Sequence, residues 1–222
     1  MRPSVSVLQL DTQFPRVPGD VACRETYHDE IEIIRIPGAS VSNIVTDRPG
    51  EIDIQPFEDA VKNARGDVIV TSCGFLSFWQ EHLQSCTTRP FISSSLTALD
   101  RLSSLFAPEE LLILTFDAQS LNGSHFGVHR QYVCAIRGLR PQTHLRQVIA
   151  TGQSELNANV ASGEMIDLVR TDHVDRHKHI LLECTNMPPY KQALKAEFGL
   201  PVSDILTEIE RVRPDTIVRA FL

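Results

Sequence analysis

Two of the five cysteines close apolar, β-branched runs. Cys73 ends Val68-Ile69-Val70-Thr71-Ser72-Cys73, and Cys184 ends Ile180-Leu181-Leu182-Glu183-Cys184. Ligands of open parallel sheets bind beyond the carboxyl ends of the strands, so both thiols are predicted to face a small molecule. Gly74 follows the first cysteine and lets backbone approach a ligand closely. Thr185 and Asn186 follow the second, before Pro188 and Pro189, which suit the first turn of a helix. A helix N-terminus behind each thiol would lower its pKa and cradle a carboxylate. The chemistry this predicts is proton transfer at a carbon next to a carboxylate. A thiolate on one side removes a proton, and a thiol opposite returns one to the other face. The enediolate formed on the way needs preorganised donors. Ser72, Thr185, Asn186 and the N–H groups of Gly74 and Thr185 are the candidates. No motif for a metal or an organic cofactor is present, so neither is expected.

The elements that must hold these residues read as strands alternating with helices. Strands are predicted at Ser4 to Leu10, Ile31 to Ile36, Asp67 to Thr71, Pro90 to Ile92, Leu111 to Phe116, Leu145 to Ala150 and His179 to Leu182. Most are continuous apolar runs, the pattern of strands covered on both faces of a parallel sheet. Helical spacing runs through Pro56 to Ala64, Leu96 to Phe106, Ala158 to Val169, Pro189 to Phe198 and Ser203 to Val212. Gly199 and Pro201 stop the fourth of these, and Ser93 to Ser95 offer a helix cap for Leu96 onward. This is an α/β, doubly wound pattern. It also repeats. One strand ends at Asp11 and a later one at Cys73; in the second half the corresponding ends are Asp117 and Cys184, at nearly the same separation. The chain is therefore read as two pseudo-symmetric parallel-sheet halves, residues 1–96 plus 205–222 and residues 97–204, with a site in the cleft between them. Thr12 to Glu30, with Pro15, Pro18 and Gly19, reads as a loop over a site or an interface.

Composition narrows the function classes. With 42% hydrophobic and 22% charged residues the chain is ordinary globular protein. A net charge of −7 and no basic run disfavour nucleic acid and anionic membranes as partners. No stretch approaches the roughly 20 apolar residues of a membrane span. An acidic residue as early as Asp11 argues against a signal peptide. An odd cysteine count without CxxC predicts reduced thiols and a cytoplasmic location. Cys23, Cys86 and Cys134 lack the context of the other two and read as incidental. The Asp172, His173, Asp175, His177, His179 cluster reads as a solvated connection rather than a metal site, and the His125/His129 pair as part of a loop.

Thr71-Ser72-Cys73-Gly74-Phe75-Leu76 and Glu183-Cys184-Thr185-Asn186-Met187 resemble the two cysteine signatures of the aspartate/glutamate/hydantoin racemase superfamily. The resemblance runs from the Asp11 strand to Pro189. It implies cofactor-independent cysteine acid/base catalysis, with Cys73 and Cys184 as the catalytic pair acting on a small carboxylate. It also implies substrate contacts at Asp11, Thr12 and Thr115, and a homodimer or higher homo-oligomer. The sequence departs from that pattern at Asn186, where glutamate racemases carry a histidine, and at Gly74-Phe75, where amino-acid racemases carry Asn-Thr. The expectation is thus an amino-acid or hydantoin-like racemase, with the substrate left open. The alternatives are an isomerase or decarboxylase of the same superfamily, or a non-catalytic small-molecule-binding relative.

Overall fold

The computed structural model describes residues 2–173 and 175–222. The first sheet contains β1 (Val5–Leu10), β2 (Ile31–Ile36), β3 (Val68–Thr71) and β4 (Phe91–Ile92). The second contains β5 (Leu111–Thr115), β6 (Ile136–Gly138), β7 (His179–Leu182) and β8 (Val202–Ser203). Both are parallel and have the same order, β2-β1-β3-β4 and β6-β5-β7-β8, so the repeat read in the sequence is a repeat of topology. Every residue of β3, β5 and β7 is buried, as strands sandwiched between two layers must be.

The helices are α1 (Val41–Ile44), α2 (Gln55–Asn63), α3 (Gln80–Ser85), α4 (Leu99–Leu102), α5 (His144–Thr151), α6 (Ala158–Asp172), α7 (Lys191–Phe198) and α8 (Ile205–Val212). Their apolar stripes supply the layers. Leu112, Leu114, Ile180 and Leu182 of the second sheet share a core with Val148, Ile149, Met165, Val169 and Leu194 of α5, α6 and α7. Leu8 and Ile69 of the first sheet share one with Phe57, Val61 and Leu83 of α2 and α3.

The segments that follow the last strand of each sheet change sides. After β4, Leu96, Leu99 and Leu102 join the core that contains Leu111, Ile113 and Leu181 of the second sheet, and Ser95 Oγ donates to the Leu182 carbonyl at 2.7 Å. After β8, Ile205, Leu206 and Ile209 of α8 cover Val5, Val7, Val68 and Val70 of the first sheet.

Three readings of the sequence change. Leu145 to Ala150 is helix α5, not a strand: its buried residues, Leu145, Val148 and Ile149, lie at helical spacing, and the β-branched pair only imitates a strand. The sheet position expected there belongs to β6, only three residues long. Ser203 ends strand β8, and α8 starts after Asp204, whose carboxylate accepts from the Thr207 N–H at 2.9 Å. The histidine-rich stretch leading into β7 is not solvated throughout, because His177 and His179, the first residue of β7, are both 6% exposed. Among the described residues no helix is long and apolar enough to cross a membrane.

Candidate active site

The carboxyl ends of the central strands converge on one small pocket. Leu10, Thr12, Phe14, Arg16 and Ser72 to Phe75 line it from the first half, and Phe116, Ile149 and Glu183 to Asn186 from the second. Cys73 follows β3 by two residues and Cys184 follows β7 by two, so equal topology brings the two thiols into one cleft. Hydrogen bonds hold the two cysteine loops against each other and against β1. Thr185 Oγ1 donates to the Ser72 carbonyl at 2.6 Å, and Leu10 N–H donates to Ser72 Oγ at 3.0 Å. The Thr185 hydroxyl is therefore occupied in positioning the site.

Of the other residues proposed from the sequence, Asp11 and Thr115 fall outside the pocket. Asp11 does not line the pocket. Its carboxylate is part-exposed, 3.6 Å from Arg35 Nε and 3.2 Å from the Gly38 N–H that donates to it. Thr115 is fully buried behind the pocket wall, where its hydroxyl donates to Glu183 Oε2 at 2.6 Å. Thr12 lines the pocket and accepts from Arg16 Nη2 at 3.0 Å.

The pocket's charges come mostly from residues the sequence reading did not assign. The Thr12-to-Glu30 segment folds over the cleft and carries Arg16, whose Nη1 is 3.2 Å from both oxygens of Asp20. The guanidinium lies 4.3 Å over the Phe14 ring, and its buried Nε has no hydrogen-bond partner among the described residues. Asp20 in turn accepts from Asn186 Nδ2 at 2.7 Å, which aims Asn186 Oδ1 at Cys184 Sγ, 3.7 Å away. Gly19 docks this loop. It has a φ of +98°, and a Cβ there would sit 2.9 Å from Pro189 Cα, so only glycine fits.

Glu183 is the least compensated charge in the site. It is fully buried and lines the pocket, and its Oε1 has no hydrogen-bond partner among the described residues. Burial raises its pKa to about 7, opposed by the Thr115 hydrogen bond. Its carboxylate occupies the space left by the missing side chain of Gly74, where a Cβ would fall 2.0 Å from Oε1.

The helix-terminus expectation for the thiols does not hold. Cys73 precedes only a 3-10 turn, Gly74–Trp79, and three residues separate Cys184 from the Pro188–Tyr190 turn. Burial pushes the Cys73 thiol up to about 12, with the Glu183 carboxylate adding to it, while the Phe75 N–H and Arg16 pull the other way. Cys184 is pushed well up by burial and then by Glu183. Burial and the Glu183 carboxylate thus favour the protonated form of both thiols.

Comparison with known proteins separates the fold from the reaction. Structural neighbours include allantoin racemase from Klebsiella pneumoniae (17% identity, TM-score 0.58, 94% of this chain and 86% of that one). Arylmalonate decarboxylase aligns at 12% identity with a TM-score of 0.58 over 97% of this chain and 96% of that one. Glutamate racemase from Francisella tularensis aligns at 10% identity and a TM-score of 0.51, over 95% and 79%. At these identities they establish the two-halved racemase-type fold and nothing finer. No family model matches the chain. In sequence the chain is similar to a dimethylsulfoniopropionate lyase of Durusdinium sp. clade D, 27% identical over 99% of this chain and 75% of that protein. It is also 28% identical to dimethylsulfoniopropionate lyase 3 of Emiliania huxleyi (strain CCMP1516), over 92% of this chain and 57% of that protein. The chain thus spans little more than half of that second relative. The expectation of an amino-acid racemase is overturned by these relatives, which are lyases and match nearly the whole chain. Racemases and a decarboxylase share this fold, so the fold does not choose among reactions.

Proposed function

We propose that this protein is a carbon–sulfur lyase that eliminates a neutral sulfide from a small carboxylate carrying a sulfonium group, as its relatives' name, dimethylsulfoniopropionate lyase, describes. The observation that carries the reading is the buried carboxylate of Glu183, whose Oε1 has no hydrogen-bond partner among the described residues and which lines the same pocket as two thiols and Arg16. A dry anion of this kind is costly unless something positive meets it, and a sulfonium is a cation without hydrogen-bond needs. Arg16, with its free Nε, is the complementary partner for the substrate carboxylate.

The chemistry balances with one base. A thiolate takes the proton from the carbon next to the carboxylate. The released electron pair becomes the Cα–Cβ double bond, the Cβ–S bond breaks, and its pair stays on sulfur. Sulfur leaves as an uncharged dialkyl sulfide and needs no proton, and the remaining fragment is an α,β-unsaturated carboxylate. Inversion needs an acid opposite the base; this elimination does not, so the two cysteines need not be equivalent. Bound substrate also helps form the base, because a sulfonium beside a buried thiol favours its thiolate.

Purified protein given dimethylsulfoniopropionate should release dimethyl sulfide and acrylate in equal amounts, read by headspace gas chromatography and liquid chromatography. Failure to release sulfide while the protein is folded and binds the substrate sinks the proposal.

A further inference from the structure

Away from the pocket, α2 and α3 bring three kinds of metal ligand together. Glu58 Oε1 lies 2.7 Å from His82 Nε2. The ligand atoms of Glu58, His82 and Cys86 all fall within 4.8 Å of one another. His82 and Cys86 stand one helical turn apart, which puts them on one face, and Glu58 reaches across from the neighbouring helix. Cys86 is a free, part-buried thiol whose Sγ donates to the His82 carbonyl at 3.6 Å.

We propose that Glu58, His82 and Cys86 form a binding site for a borderline divalent transition-metal ion of the zinc class. One carboxylate oxygen, one imidazole nitrogen and one thiolate are ligands that such an ion accepts together, whereas magnesium and calcium take oxygen alone. Tetrahedral bonds of about 2.0–2.3 Å place ligand atoms roughly 3.3–3.8 Å apart. Side-chain rotation therefore suffices to seat the ion, with water in the fourth position. A bound ion would take the place of the Glu58–His82 hydrogen bond. Lys62 touches the other Glu58 oxygen, Oε2, at 3.3 Å and leaves Oε1 to the site. A bound ion would fasten α2 to α3, and α3 continues directly from the Gly74–Trp79 turn that begins at Cys73. The site would thus stiffen the segment carrying one pocket thiol.

Trp79 is the single tryptophan of the chain, and its ring centroid is 5.4 Å from that of His82. Cobalt(II) chloride titrated into the full chain should quench tryptophan emission saturably at one ion per chain. A near-ultraviolet thiolate-to-cobalt absorption should appear in step, and zinc chloride should reverse both. Loss of an outer-shell partner costs about 10–100-fold in metal affinity, so His82→Ala and Cys86→Ser should each weaken binding at least about tenfold. Cys134→Ser, which removes an exposed cysteine elsewhere, should leave the titration unchanged. The proposal is overturned by an absence of saturable quenching, or by quenching and absorption that survive both site substitutions.

Discussion

At the scale of single residues, Glu183 ties stability and activity together in opposite directions. A carboxyl moved from 4.5 to about 7 by burial binds a proton in the folded chain at pH values where the unfolded chain has released it. The folded state is then favoured most below about pH 4.5, and that advantage is lost as the pH rises through 7. The cost above neutrality is about 3 kcal/mol. Glu183→Gln removes the charge and keeps the shape, so urea unfolding at pH 8 should show the variant more stable than wild type by up to about 3 kcal/mol, with little difference at pH 5. The same variant should lose turnover, because the cation has lost its counter-charge. Equal pH dependence in the two proteins would show that Glu183 is not the titrating group. The thiols should also part company. With only one base needed, one of Cys73→Ser and Cys184→Ser should abolish sulfide release while the other retains at least about a tenth of it. Equal and complete loss in both would restore a two-thiol scheme.

At the scale of elements, Gly74 shows how tightly the cysteine loops are matched. A Cβ at this position meets Glu183 Oε1 at 2.0 Å and the Glu183 carbonyl at 2.7 Å; the side chain can turn away, but the carbonyl cannot retreat without moving the strand end. Gly74→Ala should therefore cost about 1–3 kcal/mol in stability, as overpacking does, and displace Glu183 from the pocket. Thermal unfolding and sulfide release check the two halves of that expectation. The loops of Cys73 and Cys184 were legible in the sequence because fully buried parallel strands are long apolar runs that end abruptly at small or polar residues. β6 and β8 were not, because Ile136-Arg137-Gly138 and Val202-Ser203 each hold a single apolar residue before glycine or a polar residue and form no apolar run. The Arg16–Asp20 pair was not legible either. Its place over the cleft depends on how the loop docks through Gly19 on Pro189, a contact far apart in sequence. Glu183 reads in the sequence as a polar residue at a strand end, and nothing local says that it is buried without a partner. The chemical identity of the reaction was invisible for a related reason: two thiols beside a carboxylate pocket suit every carbon acid the fold can hold.

At the scale of the whole molecule, the exchange of covering segments makes the two halves one unit. α8 completes the first sheet, yet it is anchored in the second half. Lys191 at the start of α7 lies 2.8 Å from Asp204, the cap of α8, with both side chains almost wholly buried. The same ammonium donates to the Phe221 carbonyl at 3.0 Å, fastening the C-terminal segment as well. Breaking a buried pair by removing one partner strands the other charge, at a cost of about 3–5 kcal/mol. Lys191→Met should therefore destabilise the chain by that amount in urea unfolding. Because the core joining the sheets is continuous from Leu8 to Leu181, the loss should move one cooperative transition rather than split it. Trp79 emission, which reports on the first half, and far-ultraviolet circular dichroism, which reports on both, should fall together. Asp204→Asn keeps a side-chain oxygen for the Thr207 N–H while removing the stranded charge. Adding it to Lys191→Met should recover part of the loss. Two separated transitions in Lys191→Met would show instead that the halves hold together through this one latch, with the shared apolar core contributing little.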